Sequence, residues 1–166
     1  MMVDTVGIMK NREVAACLIR IADTLEIKGE SGFKVIAYRR AARVLEDLTA
    51  NVADLAAEGR LREIDGIGGG IARKIEEYLA TGTMRKLLEA GVGVPEGLIE
   101  LLRIRNLDAR TIHIAYRELG VRNLTDLKRA CGDGRLAGLR GLGFRKAAVI
   151  QRGIELYEKT ESRSLN

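Results

Sequence analysis

Residues 61–82 read LREIDGIGGGIARKIEEYLATG, and within them Gly66-Ile67-Gly68-Gly69-Gly70 runs straight into a segment carrying Ile71, Ile75, Tyr78 and Leu79 at helical spacing. The pattern predicts a helix that opens from a tight glycine-rich loop and ends at Gly82. Such a loop needs glycine where the backbone takes a positive φ or lies close to another molecule. The helix start then presents free N–H groups and the positive end of its macrodipole. A phosphate can approach them with no bulky side chain in the way.

The same plan occurs three times: Ile64-Asp65-Gly66-Ile67-Gly68, Ile104-Arg105-Asn106-Leu107-Asp108 and Leu139-Arg140-Gly141-Leu142-Gly143, the last leading into Phe144, Arg145 and Lys146. Asn106 can stand for glycine because asparagine tolerates the left-handed region, whereas Asp108 puts a carboxylate where an anion would sit. The middle copy is therefore expected to be structural and the outer two to bind. The pattern resembles the helix-hairpin-helix motif, which grips nucleic-acid backbones without reading bases. That resemblance implies a structural monovalent cation, Na⁺ or K⁺, held by the backbone carbonyls of Arg62, Ile64 and Ile67, and no other cofactor.

Working outward, Val14, Leu18, Ile21 and Leu25 predict a helix over 11–27. A second helix over 32–48, capped by Ser31, is predicted with Phe33, Ile36, Ala37, Ala41, Val44 and Leu48 on its apolar face. Further helices are predicted at 51–57, 84–90, 96–103, 109–119, 124–131 and 144–159. GVGVPEG, with the only proline, reads as a linker. The expected fold is all-α, with two small helical domains built from hairpin motifs at 1–91 and 92–166.

Composition agrees. The 166 residues include 19 glycines, one proline and 4% aromatics, so strand-like alternation is scarce and glycine punctuates helices. With 46% apolar and 31% charged residues the chain is neither disordered nor membranous, and no apolar run suits a spanning helix. No secretory leader pattern opens it, so no membrane partner and a cytoplasmic location are expected. Cys17, Cys131 and the single His113 are too few and too scattered for a disulfide framework or a zinc site, and both thiols are expected to be buried. His113 and Tyr116 read as core or surface residues of their helix. Residues 1–91 carry 14 Lys+Arg against 14 Asp+Glu and residues 92–166 carry 14 against 9, so the net +5 lies in the second half and points to a polyanion.

The stretch 32–42, GFKVIAYRRAA, together with 66–82, resembles the N-terminal small domain of the family X (DNA polymerase beta-like) DNA polymerases, and the likeness continues into a fingers-like region at 97–154. It implies binding to gapped, nicked or single-stranded DNA in repair, with hairpin contacts at Gly66, Gly68, Gly69, Gly70, Arg73, Gly141, Gly143, Arg145 and Lys146. It also implies a 5′-phosphate pocket at Phe33, Lys34, Tyr38, Arg62 and Gly70, in which Phe33 replaces a histidine and Gly70 a lysine. Lys34 and Tyr38, four apart, are expected on one helical face.

The resemblance further implies a nucleophile at Lys74, whose amine would form a Schiff base in a 5′-deoxyribose-phosphate lyase of base-excision repair. That amine must be unprotonated, hence partly desolvated or crowded by other cations, and Lys74 lies roughly 85° from the centre of the apolar face at about 100° per residue, on its flank. The palm that carries polymerase carboxylates in the family is not matched, so no polymerase activity is expected from this chain alone. It reads as a DNA-binding relative, a lyase, an N-terminal piece of a longer polymerase, or a protein adaptor.

Overall fold

The computed structural model describes residues 5–30 and 32–165. Among them the chain forms nine α-helices and no strand: α1 Thr5–Ile27, α2 Phe33–Asp47, α3 Val52–Ala57, α4 Gly69–Thr81, α5 Arg85–Gly91, α6 Glu96–Glu100, α7 Ala109–Leu119, α8 Leu124–Gly132 and α9 Gly143–Ser164. Two 3₁₀ turns, Leu61–Glu63 and Leu101–Arg103, precede the first two hairpin loops. The fold is all-α. No helix among the described residues is long and apolar enough to cross a membrane.

The helices gather into two compact units. One runs to Leu25 and resumes over Glu30–Val92; the other takes Glu26–Gly29 and continues from Gly93. In the first, Val14, Leu18, Ile21 and Leu25 of α1 are fully buried and meet Leu45, Val52, Ile75 and Met84. The predicted stripe of α1 thus faces the core, although the helix begins at Thr5, earlier than the periodicity shows.

On α2 the buried face differs from the predicted one. Val35, Tyr38, Ala41, Ala42 and Leu45 turn inward, whereas Phe33 and Ile36 are 92% and 62% exposed. Two apolar stripes with helical spacing run along this helix, and the one holding Val35, Tyr38 and Leu45 supplies the volume the core takes. Gly32 occupies the N-cap with no side-chain cap bond, and Ser31, the predicted cap, lies outside the described residues.

Asn11, 2% exposed, ties the first unit together. Its amide donates to the carbonyls of Ala50 at 2.8 Å and Leu48 at 3.3 Å, and its Oδ1 accepts from the Val52 N–H at 2.8 Å. One side chain of α1 thereby satisfies the backbone between α2 and α3, where no helix can do so.

The second unit packs Ile27, Leu98, Leu101, Ile112, Leu127, Leu136, Ile150 and Ile154 into its own core. His113 is structural: its Nδ1 shares a hydrogen bond with the Ile27 carbonyl at 2.9 Å. Gly153 lets α9 lie against the second hairpin loop, since a Cβ there would fall 2.3 Å from the Arg105 carbonyl oxygen. Both cysteines are free. Cys17 is buried but Cys131 only half-buried, a correction to the reading of two buried thiols.

Candidate nucleic-acid interface

The first hairpin is closed by a short chain of turn bonds. Ile64 N–H donates to the Leu61 carbonyl at 3.2 Å and Ile67 N–H to the Ile64 carbonyl at 3.0 Å, while Gly66 takes φ 99° and Ile67 plugs the loop into the core at 4% exposure. Gly68 is extended, and α4 begins at Gly69 with no side chain capping it. The amides of Gly69, Gly70 and Ile71 therefore face outward without an intrahelical acceptor.

The second hairpin repeats this turn by turn. Ile104 N–H bonds Leu101 at 3.1 Å, Leu107 N–H bonds Ile104 at 3.3 Å, and Asn106 takes φ 68°, the sole positive φ outside glycine among the described residues. Asp108 is extended like Gly68, but its Oδ1 accepts from the Thr111 N–H at 2.8 Å. Burial pushes the Asp108 carboxyl up, yet the Thr111 bonds and the charges of Lys146 and Arg110 outweigh it and hold the carboxyl below its ordinary value. The α7 start already holds its anion.

The third copy keeps the turn, with Leu142 N–H bonded to Leu139 at 3.1 Å and Gly141 at φ 83°, and then departs. Gly143 is not extended but sits at φ 75° as the first residue of α9. The three-fold plan read from the sequence is thus two like hairpins and one variant.

Around the first hairpin the structure brings Arg62, Gly69 and Arg73 together, with Leu61, Ala72 and Glu76, on an open cleft of about 370 Å³. Arg62 is exposed and its guanidinium stands beside Gly69. Lys74 is half-buried on the flank of α4, its Nζ donating to the Gly70 carbonyl at 3.4 Å. Arg145, Lys146, Gly141 and Gly143 are exposed in the second unit.

At the start of α2, Phe33 and Lys34 are exposed, whereas Tyr38, one turn after Lys34 on the same helix, is 7% exposed because it belongs to the buried stripe. Burial, with Glu89 adding to it, raises the Tyr38 hydroxyl above its ordinary pKa. Arg40 was not singled out from the sequence, although it stands in the quoted AYRRAA stretch. Its side chain lies beside Gly66 and pairs with Asp65 at 3.4 Å, bracing the loop. With both partners exposed, that pair contributes little stability.

The Ile64 carbonyl accepts the Ile67 N–H, while among the described residues the Arg62 and Ile67 carbonyls take no loop hydrogen bond.

Residues 9–84 match the helix-hairpin-helix domain family. Over 142 residues, 86% of this chain, the sequence is 35% identical to the DNA polymerase/3'-5' exonuclease PolX of Bacillus subtilis (strain 168). The chain spans about a quarter of that relative's length, 24%.

Proposed function

From the premise that this chain is related to the family X DNA polymerases, we propose that it binds DNA through the phosphate backbone, without sequence preference, at gapped, nicked or single-stranded sites met in repair. The observation that carries this reading is the uncapped start of α4 between Arg62 and Arg73, set against its twin at α7, which Asp108 closes. Two cations beside three outward amides suit a phosphate oxygen. Arg145 and Lys146 add contacts from the second unit. A Na⁺ or K⁺ on the carbonyls of Arg62, Ile64 and Ile67 would pin the loop and add positive charge beside the same phosphate.

Affinity is expected to fall steeply with salt. If about four phosphates are neutralised, log K against log salt has a slope near −3 to −4, measured by fluorescence anisotropy on a gapped duplex. A flat response rejects backbone gripping and favours a protein adaptor.

A second reading, 5′-deoxyribose-phosphate lyase, is favoured by the placement of Lys74, half-buried and held beside Gly70 at the edge of the hairpin. The Lys74 amine would add to the C1′ aldehyde with loss of water; the C2′ proton would then pass to solvent, the C2′–H bonding pair being drawn toward the imine, and the C3′–O bond would break to leave a 5′-phosphate on the DNA, after which water would hydrolyse the unsaturated imine and free the amine. Borohydride reduces such an imine to a stable crosslink. Lys74→Ala is expected to abolish crosslinking while weakening binding only about fivefold, one phosphate contact or ~1 kcal/mol. Lys34→Ala should weaken 5′-phosphate binding but leave crosslinking intact at saturating DNA. Wild-type protein that never crosslinks to an abasic 5′ end rejects the lyase; crosslinking that survives Lys74→Ala moves the nucleophile elsewhere.

A further inference from the structure

The chain has two phenylalanines and neither lies in a core: Phe33 is 92% exposed and Phe144 is 83% exposed. The cores are built mainly from leucine, isoleucine, valine and alanine, with Tyr38, Met84 and Cys17 in the first. Each phenylalanine follows a glycine of positive φ, Gly32 at 91° and Gly143 at 75°, and each is followed by a cation, Lys34 in one case and Arg145 with Lys146 in the other. Two large apolar rings left in water in the same local setting call for an apolar partner that is itself surrounded by negative charge.

Phe144 has the stronger setting. From Gly134 to Ile154 the chain carries Arg135, Arg140, Arg145, Lys146 and Arg152 and no carboxylate. Arg135 is spent on Asp133 at 2.8 Å and Lys146 stands near Asp108, while Arg140, Arg145 and Arg152 make no ion pair among the described residues. An exposed phenyl ring in a carboxylate-free basic field fits a flat apolar ring strung on phosphates. Duplex DNA hides the faces of its bases and offers only their edges, whereas a single strand opens both faces of every base.

We propose that Phe144 is a stacking platform for an unpaired nucleobase of single-stranded DNA, with Arg145 and Arg140 on the flanking phosphates. This rests on the DNA-binding reading above and adds a contact of a different kind from the hairpin amides, one that discriminates single strand from duplex. The departure of the third hairpin from the other two accords with it: Gly143 enters α9 by a left-handed step and leaves the ring outside.

The chain contains no tryptophan, so Phe144→Trp installs a lone indole at the site. Titration with a twelve-nucleotide oligothymidylate is expected to quench that indole, and blunt duplex to leave it unchanged. Phe144→Ala is expected to weaken oligothymidylate binding about tenfold, with the salt slope and the duplex affinity unchanged because no charge is removed. Its melting temperature should match wild type, since the ring is not packed. A silent indole with unchanged oligothymidylate affinity, in a protein that binds DNA normally, overturns the platform and leaves the backbone-binding reading standing. Loss of affinity shared equally by single strand and duplex, or a change in sedimentation showing that the ring covers a second copy of this chain, also overturns it. Failure of wild type to bind any DNA defeats both.

Discussion

Gly68→Asp should weaken DNA binding by about tenfold or more at ~0.1 M salt while leaving the protein at least as stable as wild type. Gly68 is extended at φ −82° and ψ 173°, a backbone any residue adopts, and a Cβ there meets nothing within 4 Å. The equivalent residue of the second hairpin is Asp108, which caps Thr111, so an aspartate at 68 would cap Ile71 in the same way. Capping in place of glycine is worth a few tenths of a kcal/mol in stability. Filling the anion site removes a charge-assisted hydrogen bond of about 1.5–3 kcal/mol from the complex, where 1.4 kcal/mol is tenfold. Anisotropy and thermal melting on one variant separate the two effects. Undiminished binding with a formed cap would place the DNA elsewhere. The reciprocal Asp108→Gly should lower the melting temperature and change affinity far less, because it takes a cap from α7 without supplying the arginines that flank α4.

Asn11→Ala is expected to cost about 3 kcal/mol, a large share of the 5–15 kcal/mol that holds a typical domain. It removes three hydrogen bonds and strands the Val52 N–H, whose residue is fully buried. Each buried group left unpaired costs about 1–3 kcal/mol. Urea denaturation followed by circular dichroism measures the loss. A cost below about 1 kcal/mol would mean that water replaces the side chain and that the connection between α2 and α3 is not closed by it.

Asn11 also shows where sequence reading stops. Val14, Leu18, Ile21 and Leu25 announce their face by period alone, and the turn residues Gly66, Asn106 and Gly141 announce the loops because few residues tolerate a positive φ. A polar residue within an amphipathic helix carries no such mark, since its burial depends on carbonyls some forty residues away. Period alone also failed on α2, where two stripes compete and only the neighbouring helices choose between them. That choice drew Tyr38 inward and left Phe33 and Ile36 outside. Equal spacing likewise concealed the difference between the third hairpin and the other two, because the sequence gives Gly143 either sign of φ and the structure gives it one. The places of Arg62, Arg73 and Lys74 around the first hairpin follow from one contiguous stretch of sequence; that of Arg40 does not, because its contact with the loop crosses from another helix.

The last turn of α1 belongs to the second unit, with Ile27 in its core and the Ile27 carbonyl on His113. During synthesis the ribosome delivers Ile27 before the rest of that core, from Leu98 onward, exists. The second unit therefore closes a long loop as it folds, at an entropic cost that grows only slowly with loop length. A fragment begun at Gly93 would carry every hairpin residue of that unit yet lack the side chain that fills its core beside α7. Its failure to fold would reflect the missing Ile27, not a weakness of the helices it contains.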